Sequence, residues 1–224
     1  ESITNFQSNT VISSDSVATI TETIDYDFGS TSRHGIQRLL ELSSKSSTQS
    51  GYFNLNYKLI SITQDGETAL VSESNSGFTQ NLKIGDPDTT ITGTHRYVLK
   101  YQLWPVVRED PDGDYINQNI TGNGWQVPIL RANAQVTLPA GVVPTQLRCY
   151  SGAKGSTTQS CTISNQGSVV LLSTSSALNA GEGLTANILA PKSSFTQYLA
   201  VSSKPIGGSS SDSALESAAV IFVS

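Results

Sequence analysis

Across residues 17–28 apolar and polar side chains alternate almost without a break. Ala18, Ile20, Ile24, Tyr26 and Phe28 fall on one face; Val17, Thr19, Thr21, Thr23, Asp25 and Asp27 take the other. A period of two over this length predicts a β-strand with one dry side. Glu22 interrupts the pattern, because its position places a carboxylate on the dry side. A lone buried carboxylate is costly, so it requires a cationic or hydrogen-bonding partner. The nearest candidates along the chain are His34 and Arg38, just past a Gly-Ser-Thr-Ser turn.

The same alternation recurs further on. His95, Tyr97, Leu99, Tyr101 and Leu103 alternate with Arg96, Val98, Lys100, Gln102 and Trp104, which predicts a second long strand with an aromatic core face. Phe53, Leu55, Tyr57 and Leu59 set one phase; Ile60 and Ile62 then change it, a sign of a β-bulge. Asp65-Gly66 follows as a hairpin turn. Shorter alternating runs around 132–138, 143–150, 169–173 and 184–189 raise the expected total to about ten to twelve strands, with turns every ten or so residues. No helical period persists beyond one turn. The expected fold is therefore all-β: an antiparallel β-sandwich, immunoglobulin-like or jelly-roll-like.

Residues 1–202 form the expected β domain, and residues 203–213 read as a Ser/Gly-rich linker. Residues 214–224 end in Ala218, Val220, Ile221, Phe222 and Val223, which suit either a C-terminal strand or the truncated start of a membrane anchor. A strand there would dock on its own sheet or on the edge of a neighbouring subunit.

Composition narrows the function. Only 14% of residues are charged and the net charge is −5, with no basic run. Nucleic acid is therefore excluded as an expected partner, because phosphate binding needs clustered Lys or Arg. Cys149 and Cys161 stand in one polar segment and are expected to form a disulfide, which implies an oxidising compartment. Two distant His residues do not complete a zinc site with them. The expected location is the cell surface or the extracellular space, reached through an export signal that was either removed or lies ahead of this stretch of chain.

Several stretches together resemble a known family. They are Thr21-Glu22-Thr23-Ile24-Asp25-Tyr26-Asp27-Phe28 with His34-Gly35-Ile36-Gln37-Arg38, and Gly93-Thr94-His95-Arg96-Tyr97 with Tyr101. Gly122-Asn123-Gly124-Trp125-Gln126-Val127-Pro128-Ile129, Val136-Thr137-Leu138-Pro139 and Gly181-Glu182-Gly183-Leu184-Thr185 continue the likeness in order. The chain resembles domain of unknown function 2207, a family of predicted membrane proteins. The resemblance implies an exported, extracytoplasmic β-rich domain ahead of membrane helices, and it brings no catalytic residues. The chain departs from the family pattern at Asp114-Tyr115-Ile116-Asn117, where a Trp-Asn pair is expected. Membrane contact is expected only through segments absent from this chain.

Four groups of residues are candidates for chemistry. Glu22, His34 and Arg38 suit a structural polar cluster, with a small acid–base pocket as the alternative. Asp110, Asp112 and Asp114 alternate as calcium ligands often do, but the closing Glu of a twelve-residue loop is missing, and Pro111 with Gly113 already explains a turn. Trp104, Trp125 and Tyr115 could line a glycan-binding surface, although such rings more often fill a core. Asn119-Ile120-Thr121 fits a glycosylation sequon. No nucleophile elbow and no phosphate-cradling loop occurs. The expected function is thus non-enzymatic: a surface domain for protein interaction or assembly. The alternatives are a glycan- or envelope-polymer-binding module and a filament subunit joined by strand exchange, and neither requires a cofactor.

Overall fold

The computed structural model describes residues 1–46 and 50–206 and contains no helix among them. The first half of the chain supplies β1 (Ser2–Ile12), β2 (Ala18–Asp27), β3 (Ile36–Glu41), β4 (Ser43–Lys45), β5 (Tyr52–Asn54), β6 (Asn56–Gln64), β7 (Glu67–Thr68), β8 (Val71–Ser76), β9 (Thr79–Ile84) and β10 (Thr94–Trp104). The second half supplies β11 (Val107–Asp110), β12 (Gly113–Asn119), β13 (Ala132–Thr137), β14 (Gln146–Ala153), β15 (Cys161–Gln166), β16 (Val169–Thr174), β17 (Glu182–Ala190) and β18 (Val201–Ser202). The count exceeds the sequence expectation because pieces of two to four residues, such as β4, β7 and β18, are too short to show a period.

An eight-stranded sheet ordered β15-β16-β13-β1-β2-β10-β6-β7 forms one layer. Over its dry face lie a four-stranded sheet, β11-β12-β17-β14, and a three-stranded sheet, β3-β9-β8. Cross-layer bonds fix this stacking: Arg38 of β3 reaches Glu22 of β2, and Gln118 of β12 donates to Thr10 Oγ1 of β1 at 2.8 Å. A third small sheet, β18-β5-β4, stands to the side. One pairing departs from the antiparallel expectation, since β1 and β13 run parallel.

Alternation built the central strands as expected. Ala18, Ile20, Ile24, Tyr26 and Phe28 are buried, as are Tyr97, Leu99 and Tyr101 of the neighbouring β10. The outer face of β2 stays polar, with Asp25 accepting from Arg96. The expected bulge occurs in β6, where the register against β10 skips Ile60 and leaves its side chain exposed. The apolar side chains from all three main sheets merge into one core.

Cys149 and Cys161 are joined as a disulfide, with Cα atoms 6.2 Å apart. The bond ties β14, an edge of the four-stranded sheet, to β15, an edge of the eight-stranded sheet. Residues 203–206, the start of the expected linker, are pinned to the body: Asn54 Nδ2 donates to Lys204 O, and Ile206 N donates to Ser43 Oγ. The rest of the expected linker and the candidate terminal strand, including Ala218, Val220, Ile221, Phe222 and Val223, lie outside the described residues.

Because the disulfide closes a short loop between two layers, removing it frees chain entropy in the unfolded state. A Cys149→Ser/Cys161→Ser variant should lose about 3 kcal/mol of stability in urea unfolding, with little change in the slope.

Candidate functional site

Glu22 lies in mid-strand near the centre of the eight-stranded sheet, opposite Ser8 on β1 and Leu99 on β10. Its side chain is sealed from water, and Arg38 beside it is only 3% exposed. Arg38 Nε donates to Glu22 Oε2 at 2.8 Å and Arg38 Nη2 to Oε1 at 2.6 Å, a bidentate pair. Tyr101 donates its hydroxyl to Glu22 Oε1 at 2.7 Å. Tyr101 stands two residues along β10 from the direct partner Leu99, a diagonal that a long aromatic side chain can span.

The remaining faces of the guanidinium are also used. Its Nη1 donates to Leu39 O at 2.9 Å and its Nη2 to Ile120 O at 3.5 Å. Its carbon lies 5.8 Å from the ring centres of both Phe6 and Trp125. Burial works against the charge on Arg38, but the adjacent Glu22 carboxylate more than offsets it and holds the group above its ordinary value.

A lid of irregular chain closes this pair. Gly122 has φ of +73°, and a Cβ there would come within 2.4 Å of Arg38 Nη1, so the backbone passes where no side chain fits. Trp125 Nε1 donates to Thr121 O at 2.8 Å, which folds the segment on itself. Thr121 Oγ1 accepts from Leu184 N at 2.9 Å, and Asn123 Nδ2 donates to Gly152 O and Gly181 O. The lid is thereby fastened to β14 and to the turn before β17. The Gly-Asn-Gly-Trp run is thus a closure over a buried ion pair.

The expected members of this cluster divide. Arg38 pairs with Glu22, whereas His34 is directed elsewhere, its Nδ1 3.1 Å from Thr89 O. Tyr101 was missed; it shares the dry face of β10, but only strand register shows that it reaches Glu22. Shielding of all three groups from solvent suits structure, since acid–base exchange needs access to a substrate.

The aspartate loop does not converge either. Asp114 is buried, and its Oδ2 accepts from Ser194 N at 2.8 Å, Phe195 N at 3.2 Å and Tyr198 Oη at 3.2 Å. It caps the chain after β17 and faces away from the turn. Asp110 Oδ1 accepts from Asp112 N, as in an ordinary Asx turn. Among the described residues no three metal-ligating side chains gather. Trp125 fills the core, edge-on to Phe6 at 6.4 Å, while Trp104 is half-buried. Tyr115 lies on an outward sheet face beside a depression lined by Gln146, Arg148 and Asn187. Asn119 spends its amide within the lid, donating to Asn123 Oδ1 and accepting from Gly122 N, which leaves the sequon engaged internally.

Comparison with known proteins adds a family and a loose likeness of shape. A family model described as "Predicted membrane protein (DUF2207) N-terminal domain" matches residues 2–190. No curated protein matches the sequence. Among solved structures, the M1 zinc metallopeptidase from Deinococcus radiodurans is 13% identical, with a TM-score of 0.42 over 82% of this chain and 41% of that one. Native leukotriene A4 hydrolase from Saccharomyces cerevisiae is 10% identical, with a TM-score of 0.46 over 83% of this chain and 29% of that one. The chain therefore spans less than half the length of those proteins, and their chemistry is their own.

Two outcomes check the buried network. Glu22→Ala should destabilise by about 3–5 kcal/mol, because it strands a buried guanidinium, whereas Glu22→Leu with Arg38→Met should recover most of the loss. A large penalty in the double variant would contradict the assignment. Burial also raises Tyr26, Tyr97 and Tyr101 above the ordinary value of 10.0, with Glu1, Asp65 and Glu22 respectively adding to the effect. Above pH 10 the folded chain therefore holds protons that the unfolded chain has lost. Their contribution is complete below that pH and falls as pH rises, so alkaline unfolding should coincide with tyrosinate absorbance at those buried rings.

Proposed function

This chain belongs to the DUF2207 family of predicted membrane proteins, and we propose that its described body is a non-catalytic domain outside the cytoplasm that meets other proteins at its surface. The observation that carries the reading is the free edge at β8. Among the described residues that strand pairs with β9 on one side only and ends its sheet. All six of its residues, Val71–Ser76, are exposed. Leu70, just before it, is 61% exposed, and Ile60 and Val71 add further apolar surface.

Proteins normally shorten, charge or cover such an edge, because its unpaired backbone groups recruit other strands. Here the only charge on the strand is Glu73, and serines occupy Ser72, Ser74 and Ser76. An extended segment of a partner protein is the occupant that these features suit: backbone groups supply the pairing and Leu70 with Val71 supplies apolar contact. The Cys149–Cys161 disulfide supports an oxidising location. The sealed Glu22–Arg38–Tyr101 network supports the non-catalytic part of the reading, since the most concentrated charge in the core is engaged in packing.

A photoreactive residue placed at Ser72 or Ser74 in the full-length protein on intact cells should yield a crosslinked polypeptide, and the same group at Thr23 should not. Equal labelling at all three positions, or no product from β8, would refute the partner edge. A membrane-impermeant amine reagent should modify the exposed Lys154 before lysis; modification only after lysis would refute the location.

A further inference from the structure

We propose that the outward face of the four-stranded sheet is a saccharide-binding site centred on Tyr115 and Asn187. It is a different surface from the β8 edge and does not depend on it. Strand register sets side chains from four strands in two rows. One row runs Arg108, Tyr115, Leu189, Gln146; the next runs Asn117, Asn187, Arg148. Their sequence neighbours Val107, Ile116, Ile188 and Cys149 point into the core, so the rows face out.

Between these rows and the β11–β12 turn lies a depression of about 500 Å³, its open mouth included. Asp110, Asp112, Tyr115, Gln146, Arg148, Asn187 and Leu189 line it. The wall therefore offers two amides, a guanidinium, a phenol and two carboxylates. That mixture of donors and acceptors suits hydroxyl groups, each of which both gives and takes a hydrogen bond. One cation beside two anions makes a poor seat for phosphate or a polyanion.

The aromatic wall is held in place before any ligand arrives. The Arg108 guanidinium lies 4.6 Å from the Tyr115 ring centre and 4.7 Å from that of Phe53. Asn117 Nδ2 also approaches the Tyr115 hydroxyl at 3.5 Å. A ring already fixed loses little freedom when a sugar stacks against it. Asn187 Oδ1 is shielded and has no hydrogen-bond partner among the described residues. An unsatisfied buried acceptor is costly, and because Asn187 borders the depression, a turn of its amide on binding would let a sugar hydroxyl between Tyr115 and the exposed Arg148 supply the missing donor.

The test is a proton–nitrogen NMR titration of the domain with maltotetraose, cellotetraose, chitotetraose and mannotetraose. At least one should shift the resonances of Tyr115, Gln146, Arg148 and Asn187 at about 10 mM, a concentration that nearly fills sites of roughly millimolar affinity. Tyr115→Ala and Asn187→Ala should each weaken that binding about tenfold or more, while Tyr115→Phe, which keeps the ring, should retain it. Thermal unfolding of the three variants should match the parent, which separates loss of binding from loss of fold. No shift with any of the four sugars, or shifts that survive Tyr115→Ala, would overturn the proposal. A concentration-dependent dimer abolished by Arg148→Glu would overturn it too, assigning the face to a second copy of the chain.

Discussion

One carboxylate in the wrong place governs the architecture. Glu22 occupies a dry-face position in β2, one of the two central strands of a large sheet, and burying it alone would cost several kcal/mol. The cost is met by a cation delivered from another layer: Arg38 comes from β3, and its bidentate grip fixes where the three-stranded sheet rests on the eight-stranded one. A purely apolar contact there would allow the layers to slide by a residue or two. A two-pronged charged bond does not, because its geometry has one register.

The ion pair then constrains what covers it. Arg38 directs Nη1 at Leu39 O, and its guanidinium carbon lies 5.8 Å from the ring centres of both Phe6 and Trp125. Gly122 must be glycine for the backbone to pass so close. Asn123 donates from the lid to Gly152 O of β14 and to Gly181 O before β17, Thr121 Oγ1 accepts from Leu184 N of β17, and Trp125 Nε1 closes the lid on Thr121 O. Sheet, pair and lid form one chain of dependence, and the disulfide fastens the same layers at a remote edge. A domain stabilised in this way leaves its outer surfaces free to diverge. That is where the free β8 edge and the polar face around Tyr115 are found.

Much of this could be read from the chain before the fold was known. The dry faces of β2 and β10, the bulge at Ile60, the Cys149–Cys161 bond and the need of Glu22 for a cation all follow from local pattern or from the cost of burial. The misassignments have a common origin. Tyr101 joins Glu22 only because of strand register, and His34 leaves it because its turn swings toward Thr89. Asp114 looks like a loop ligand in sequence, yet strand alternation turns it inward to cap the chain around Ser194, eighty residues later. Trp125 is indistinguishable from a surface aromatic until Phe6 and Arg38 are seen against it.

Period-two hydrophobicity fixed the class of this protein, because alternation is a property of neighbouring residues and needs no distant partner. The two cysteines and the low charge fixed its expected compartment in the same local way. Which sheets face each other, which carboxylate meets which cation, and which aromatic rings remain at the surface were decided only by the tertiary structure. Those outcomes depend on contacts between residues far apart in the chain, where the free energy of burial is shared among several strands at once and no single segment carries the signal.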